Sequence, residues 1–272
     1  MEDSKNTPAA TPLPGDSMDV ARMPAYWLLA RLGKRVLRPG GRKLTAALLD
    51  SLHITPADHV VELAPGVGAT TKLILKKRPQ SYTGIERDAD AAGIVNALLT
   101  DPEHTCRTGT AQQTGLDDSS ADIILGEAFL TMQSQPVKQQ IVTEALRVLG
   151  PGGRYGLHEL ALCPNDLDDE QQNTIRQDLS TALHVGARPL TIADWRHLLE
   201  EAGFQIEHEL TAPMGLLRPT RVIEDEGLLR ALRILFNIIR APAARRRIRL
   251  MRANFQRHGA NMRAIVLIAR KP

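Results

Sequence analysis

The sequence predicts an α/β fold built on a doubly wound, mostly parallel sheet. Two observations carry that expectation. Apolar segments of strand length alternate with segments whose apolar residues recur at helical spacing, the pattern of a sheet covered by helices on both faces. The stretch "VVELAPGVGATTKLILKK", Val60 to Lys77, joins a strand to a helix through a glycine-bearing turn, and "YTGIERDAD", Tyr82 to Asp90, carries a second strand ending in Glu86. Such a turn lets the backbone approach a ligand closely while the following helix points its free amides at it, so the pair describes a nucleotide site.

Taken in order, "MPAYWLLARLGKRVLRPGGRKLTAALLDSL" has helical spacing interrupted at Pro39, Gly40 and Gly41, which predicts two helices with a sharp connection. A strand over His59 to Leu63 follows, then a helix over Gly68 to Lys77 and a strand over Ser81 to Glu86. Next come a helix over Ala89 to Leu99, a short strand over His104 to Thr108, and the apolar strand "ADIILGE" from Ala121. The segment "VKQQIVTEALRVLGPGG" predicts an amphipathic helix closed by Gly150, Pro151 and Gly152, and "RYGLHELAL" the strand after it. In the second half, "LDDEQQNTIRQDLSTALHV" reads as a helix and "TIADWRHLLEEAGF" as another, with Thr191 or Asp194 available to cap its first amides. A short strand "QIEHEL" and a final strand "MRAIVLIARK" complete the rhythm. Between them lies a basic, leucine-rich helical insertion, about residues 213–259, ended or bent at Pro242.

At 272 residues and 43% hydrophobic, the chain is long enough for one sizeable core, read as a single domain over 21–272. Residues 1–20 are polar, acidic and proline-rich, without the basic-then-apolar order of a signal peptide, and read as a disordered tail. No stretch reaches the roughly 20 apolar residues of a membrane span. Two cysteines, Cys106 and Cys163, are too few for a disulfide framework and lack metal-ligand spacing, so the expected setting is reducing and cytoplasmic, with membrane association left open. Net charge is +3, unevenly spread: between Arg218 and Arg263 arginine dominates and the acids are Glu224, Asp225 and Glu226. Aromatics at 3% supply few platforms for stacking bases, which disfavours nucleic acid as a partner.

Which nucleotide the turn serves depends on its details. A dinucleotide fingerprint wants Gly-x-Gly-x-x-Gly, and the corresponding residues are Gly66, Gly68 and Thr71, so the third glycine is missing. Glu62, at the strand's end, suits a cationic amine better than a pyrophosphate. With an acid before Ala64-Pro65-Gly66-Val67-Gly68, the chain resembles the class I S-adenosylmethionine-dependent methyltransferases, whose first motif is an acid followed by Gly-x-Gly-x-Gly; Ala64 stands in for the first glycine. The resemblance runs from about Tyr26 to the C-terminus, and its motif order is most similar to the small-molecule branch related to quinone C-methyltransferases.

The resemblance implies a Rossmann-like seven-stranded sheet with an antiparallel last strand, N-terminal helices over the cofactor and a late helical lid. It implies S-adenosylmethionine as cofactor, held by Glu62, Ala64, Pro65, Gly66, Gly68, Arg87 and Glu127, with Glu86 on both ribose hydroxyls. "GTAQQTGLDDSSADIIL" then places Thr110, Ala111 and Gln112 at the adenine end, with Thr110 where the family usually has an acid, and related enzymes put residues such as Gly40 and Gly41 at the methionine end.

For the chemistry, Glu127 and His158 end the fourth and fifth strands, where ligands of open α/β sheets sit. His158 is a candidate to remove a proton from a hydroxyl, thiol or acidic carbon; its alternative is a histidine simply bonded to a neighbour. Exocyclic amino methylation is disfavoured because Gly126-Glu127-Ala128-Phe129 replaces the Asn/Asp-Pro-Pro-aromatic motif, and arsenite methylation because there are two cysteines rather than a cluster. What remains is a small, apolar acceptor methylated on oxygen or carbon. In the insertion, Leu228, Leu229, Leu232, Leu235, Phe236 and Ile239 share one helical face, with Arg230, Arg233 and Arg240 largely elsewhere. That face reads as core contact, as a lid over the site, or as a surface resting on anionic lipid. The competing functional classes are a noncatalytic protein of the same fold, binding lipid or a partner, and an RNA methyltransferase. Oligomeric state is open.

Overall fold

The computed structural model describes Pro14 and residues 18–272. The tail expected over 1–20 therefore lies almost wholly outside the described residues. Among the described residues eight strands form one sheet: β1 His59–Leu63, β2 Ser81–Glu86, β3 His104–Thr108, β4 Ala121–Glu127, β5 Leu149–Leu162, β6 Leu190–Thr191, β7 Gln205–Pro213 and β8 Met262–Arg270. Their order is β3-β2-β1-β4-β5-β8-β7, with the two-residue β6 pairing the end of β5. The sheet is parallel except for β8, which runs antiparallel to both its neighbours, β5 and β7. Seven strands match the expected count, and β6 is an additional stub.

Among the described residues ten α-helices flank it: α1 Ala25–Arg31, α2 Gly41–Ser51, α3 Thr71–Leu75, α4 Ala89–Asn96, α5 Gln135–Val148, α6 Asp169–Leu183, α7 Ile192–Glu201, α8 Pro219–Glu226, α9 Leu228–Arg240 and α10 Pro242–Arg257. On one face, Ile141, Val142, Val148, Trp195 and Leu199 of α5 and α7 pack on Leu157 and Leu267. On the other, Leu44, Leu48, Ile74 and Val95 of α2, α3 and α4 cover Val60, Ile123 and Val266. Each such fully buried side chain contributes about 1.5–3 kcal/mol. Strand β8 is buried from Ala264 to Ala269 on both faces, which is why "AIVLIA" is continuously apolar rather than alternating. Thr191 and Asp194 both cap α7, as a reciprocal capping box.

Three elements differ from the sequence reading. Helix α3 has five residues instead of ten, because Gly66 and Gly68 sit in left-handed conformation and regular winding begins only beyond them. Gly150, Pro151 and Gly152 do not separate helix from strand; β5 starts at Leu149 and takes them in, with a register shift between Ala121 and Ile123 of β4. The insertion is three helices: one ends before Pro242, as one of the two expectations had it, and a further break comes at Gly227, whose φ of 79° ends α8 and opens α9. Pro242 starts α10 at its first turn, where a missing N–H costs nothing.

Candidate functional site

Strand order reverses between β1 and β4, and a cavity of about 320 Å³ opens at the carboxyl ends of the strands there. The β1–α3 turn forms its floor. Ala64 (φ 54°), Gly66 (φ 57°) and Gly68 (φ 72°) are all left-handed, and the Ala64 amide donates to the Ile85 carbonyl at 2.9 Å. A Cβ added to Gly66 would meet nothing within 4 Å, whereas one on Gly68 would come within 2.6 Å of Leu98. Gly66 is thus the open cradle, and Gly68, which does not line the cavity, is required by packing against α4.

Glu86 closes β2 at the cavity wall, 6% exposed. Its Oε2 accepts from the Gly66 amide at 2.9 Å and its Oε1 from the Asp88 amide at 3.0 Å, so the acid and the glycine turn are fixed to each other. The Gly109 amide donates to the Glu86 carbonyl, which brings Thr110, Ala111 and Gln112 to the same wall. Pro65, Arg87 and Glu62 also line it. The Glu62 carboxylate is buried, its Oε2 accepting from the Thr71 and Tyr82 hydroxyls, each at 2.7 Å. Burial pushes its carboxyl up to about 7, against the lowering effect of those two donors.

A second charged centre stands at the end of β4. Glu127 Oε1 accepts from Thr45 Oγ1 at 2.7 Å and meets His158 Nδ1 at 2.6 Å; Oε2 accepts from Thr70 Oγ1 and forms an ion pair with Arg38, whose Nε lies 3.1 Å away and donates to Thr45 Oγ1. Burial alone would raise this carboxyl, but Arg38, His158 and Thr70 outweigh it and hold it at about 2. His158 is 0% exposed and does not line the cavity; its Nε2 lies 2.7 Å from the Pro39 carbonyl oxygen. An acceptor oxygen stands within hydrogen-bond distance of each ring nitrogen, so neither nitrogen is free to take a proton from a substrate. His158 therefore follows its alternative, a histidine bonded to its neighbours, instead of the reading as a group that takes a proton from substrate, while Glu127 lines the cavity with its oxygens already engaged by Thr45, Thr70, His158 and Arg38.

Gly40 and Gly41 are also corrected, since neither lines the cavity. A Cβ on Gly40 would clash with Leu44 and Ala264, and one on Gly41 with the Asp225 carboxylate of α8. Asp225 accepts from the Arg42 amide at 2.8 Å, so the start of α2 faces a protein acid instead of a ligand. In their place the preceding loop supplies Arg35, Leu37 and Arg38, and α1 supplies Tyr26 and Trp27. Sequence reading missed these because their partners are remote in the chain; an arginine just before a Pro-Gly-Gly break was the available signal. Phe129 and Met132 complete an apolar end. They are placed by the buried Glu159, which accepts from the amides of Phe129, Leu130 and Thr131 at 2.7–3.1 Å.

Residues 61–157 match the family described as "Methyltransferase domain". An uncharacterized protein of Haemophilus influenzae is 33% identical over 218 residues, covering 78% of this chain and 84% of its own. The methyltransferase-domain match, over residues 61–157 of 272, supports placing the chain among the class I S-adenosylmethionine-dependent methyltransferases. Among solved structures of like fold, the (4+2)-cyclase SpnF has a TM-score of 0.69 at 18% identity, over 90% of this chain and 93% of its own. Phosphoethanolamine N-methyltransferase 2 of Haemonchus contortus, solved with S-adenosyl-L-methionine, has a TM-score of 0.67 at 14% identity, over 91% of this chain and 56% of its own. The matched family segment runs from β1 into β5. It contains the glycine turn, Glu86 and Glu127, but neither the loop bearing Arg38 nor the helices after β7.

Proposed function

We propose that the cavity binds S-adenosylmethionine and that the protein transfers its methyl group to an oxygen or carbon of a small, apolar acceptor. The observation that carries this reading is Glu86, tied to the Gly66 amide at the edge of a cavity where the strand order reverses. The residues present fit the cofactor. Gly66 leaves room for close backbone approach, Glu86 has remaining lone pairs for two ribose hydroxyls, and Glu62 offers a carboxyl to an amino group. Ala111 and Gln112 flank the adenine end. The solved Haemonchus neighbour with bound cofactor supports the same assignment.

When bound, S-adenosylmethionine supplies a methyl group already activated by its sulfonium, so the protein's task is alignment and exclusion of water. Trp27, Leu37, Phe129 and Met132 give the acceptor an apolar wall, and the Glu127–Arg38–His158 centre fixes the loop from which Leu37 projects. With His158 and Glu127 committed to each other, the acceptor is one whose nucleophilic atom ionises readily by itself, such as a phenol, a hydroquinone or an acidic carbon. A cyclase shares this fold, so turnover of the methyl group is the decisive test, not binding alone. Incubating the protein with methyl-labelled cofactor and a panel of phenols and quinones should yield label extractable into organic solvent. Label incorporated into RNA instead, or cofactor binding with no transfer to any acceptor, would contradict this reading in favour of the RNA enzyme or the noncatalytic protein.

A further inference from the structure

Helix α9 turns its apolar stripe outward. Its six residues, among them Leu229, Leu232 and Phe236, are between 53% and 85% exposed, and Ile234 is the buried residue of the helix. The stripe is neither core contact nor a lid lining the cavity, since the cavity-lining residues include none from α8 to α10. A contiguous exposed apolar face of this kind marks an interaction surface.

Its electrostatic setting selects the partner. From Gly227 to Pro272 the chain holds twelve Lys and Arg and no Asp or Glu, a charge of +12, while residues 1–226 hold 22 basic and 31 acidic residues, a charge of −9. Arg233 and Arg240 border the apolar stripe, and the Arg240 guanidinium lies 4.8 Å from the centre of the Phe236 ring. On the adjoining α10, Arg246 and Arg249 are exposed, and neither has a carboxylate partner among the described residues. A second copy of the chain would cover the leucines but set one cationic face against another. RNA would neutralise the arginines but leave the leucines in water. An anionic bilayer satisfies both, taking the apolar side chains into its interface and the guanidiniums at its headgroups.

We infer that α9, with the arginines of α10, docks the protein on an anionic lipid surface. Among the described residues no helix is long and apolar enough to cross a membrane, so the helix lies in the interface rather than spanning it. The docking face is fixed to the body. Asn237 of α9 donates to the Leu32 carbonyl at 3.0 Å, and Glu226, at the end of α8, accepts from the amides of Arg35 and Val36 at 2.8 and 2.9 Å. Those residues belong to the loop that supplies Arg35, Leu37 and Arg38 to the cavity. One wall of the cavity is thereby held beside the bilayer, the place where an apolar acceptor accumulates. The docking itself stands independently of methyl transfer.

Vesicle co-sedimentation of the full chain tests this, comparing phosphatidylcholine alone with phosphatidylcholine containing phosphatidylglycerol, at low and high salt. Binding is expected only to the anionic vesicles, falling at least about tenfold in high salt and by a similar factor in L229S/L232S/F236S. Because the substituted side chains are exposed, thermal unfolding of that variant should match the parent and separate lost docking from lost folding. Absence of binding to anionic vesicles, equal binding to both vesicle types, or binding indifferent to the triple substitution would overturn the inference. So would a salt-resistant dimer abolished by the same substitutions in a protein that ignores vesicles.

Discussion

Two acids at the same cavity are displaced in opposite directions from the ordinary carboxylate range, and each predicts a pH dependence. Glu127 is kept at about 2, below the roughly 4.3 of a free glutamate. A depressed carboxyl stabilises the fold fully above its unfolded value and loses that contribution as pH falls through the folded one. Stability should therefore decline between about pH 4.5 and pH 2, by about 3 kcal/mol from this residue. Urea unfolding across that range should show a shallower decline in Glu127→Gln; identical slopes would contradict the role given to its ion pairs. Glu62 is displaced the other way, to about 7. Near pH 6 its carboxyl is largely protonated in the free protein, and a bound ammonium group favours the ionised form, so ligand binding should release a proton. Calorimetry of S-adenosylhomocysteine in buffers of different ionisation enthalpy should detect that release near pH 6, with affinity rising towards pH 8, and Glu62→Gln should lose both effects. Glu62 and Glu86 were legible because each ends a strand at a fixed spacing from the glycine turn. Arg38 and the true partners of His158 were not, since a contact between the Pro39 carbonyl and a side chain on β5 leaves no trace in local pattern.

At the level of elements, the β1–α3 turn stores strain at Ala64. A non-glycine residue at φ 54° costs about 1–2 kcal/mol relative to glycine at the same position, partly offset by glycine's greater unfolded-state freedom. Ala64→Gly should accordingly raise the melting temperature by about 2–4 °C without weakening cofactor binding. A fall in stability would mean that the Ala64 methyl is needed for packing. Sequence reading found this turn but overextended α3, because propensity along "TTKLILKK" says nothing of where left-handed glycines allow winding to begin. For α9 the periodicity was read correctly and its direction was not determined by it. An apolar stripe has the same spacing whether it meets a core or a bilayer, and only the observed packing of Ile234 and Asn237 against the N-terminal loop shows which side faces in.

For the whole molecule, alternation of strands and helices was enough to anticipate a doubly wound sheet, because strands buried on both faces and amphipathic helices have distinct periods. Inserting β8 between β5 and β7 is a long-range pairing that no local pattern encodes; the family resemblance supplied only that the last strand is antiparallel, and the pairing is what encloses the most apolar strand. The same architecture places the glycine turn, Glu86 and the β4–α5 connection inside the segment matched to the family, and the N-terminal loop outside it. The measurement that bears most directly on the central claim is calorimetric titration of S-adenosylmethionine and S-adenosylhomocysteine into the full chain, beside Glu86→Ala and an NAD control. Saturable binding of both sulfur nucleotides is expected, weakened about 10- to 100-fold in Glu86→Ala through loss of the charged hydrogen bonds to ribose, with no binding of NAD. Absence of binding by a folded, ligand-free protein, or affinity unchanged by the Glu86 substitution, would contradict it.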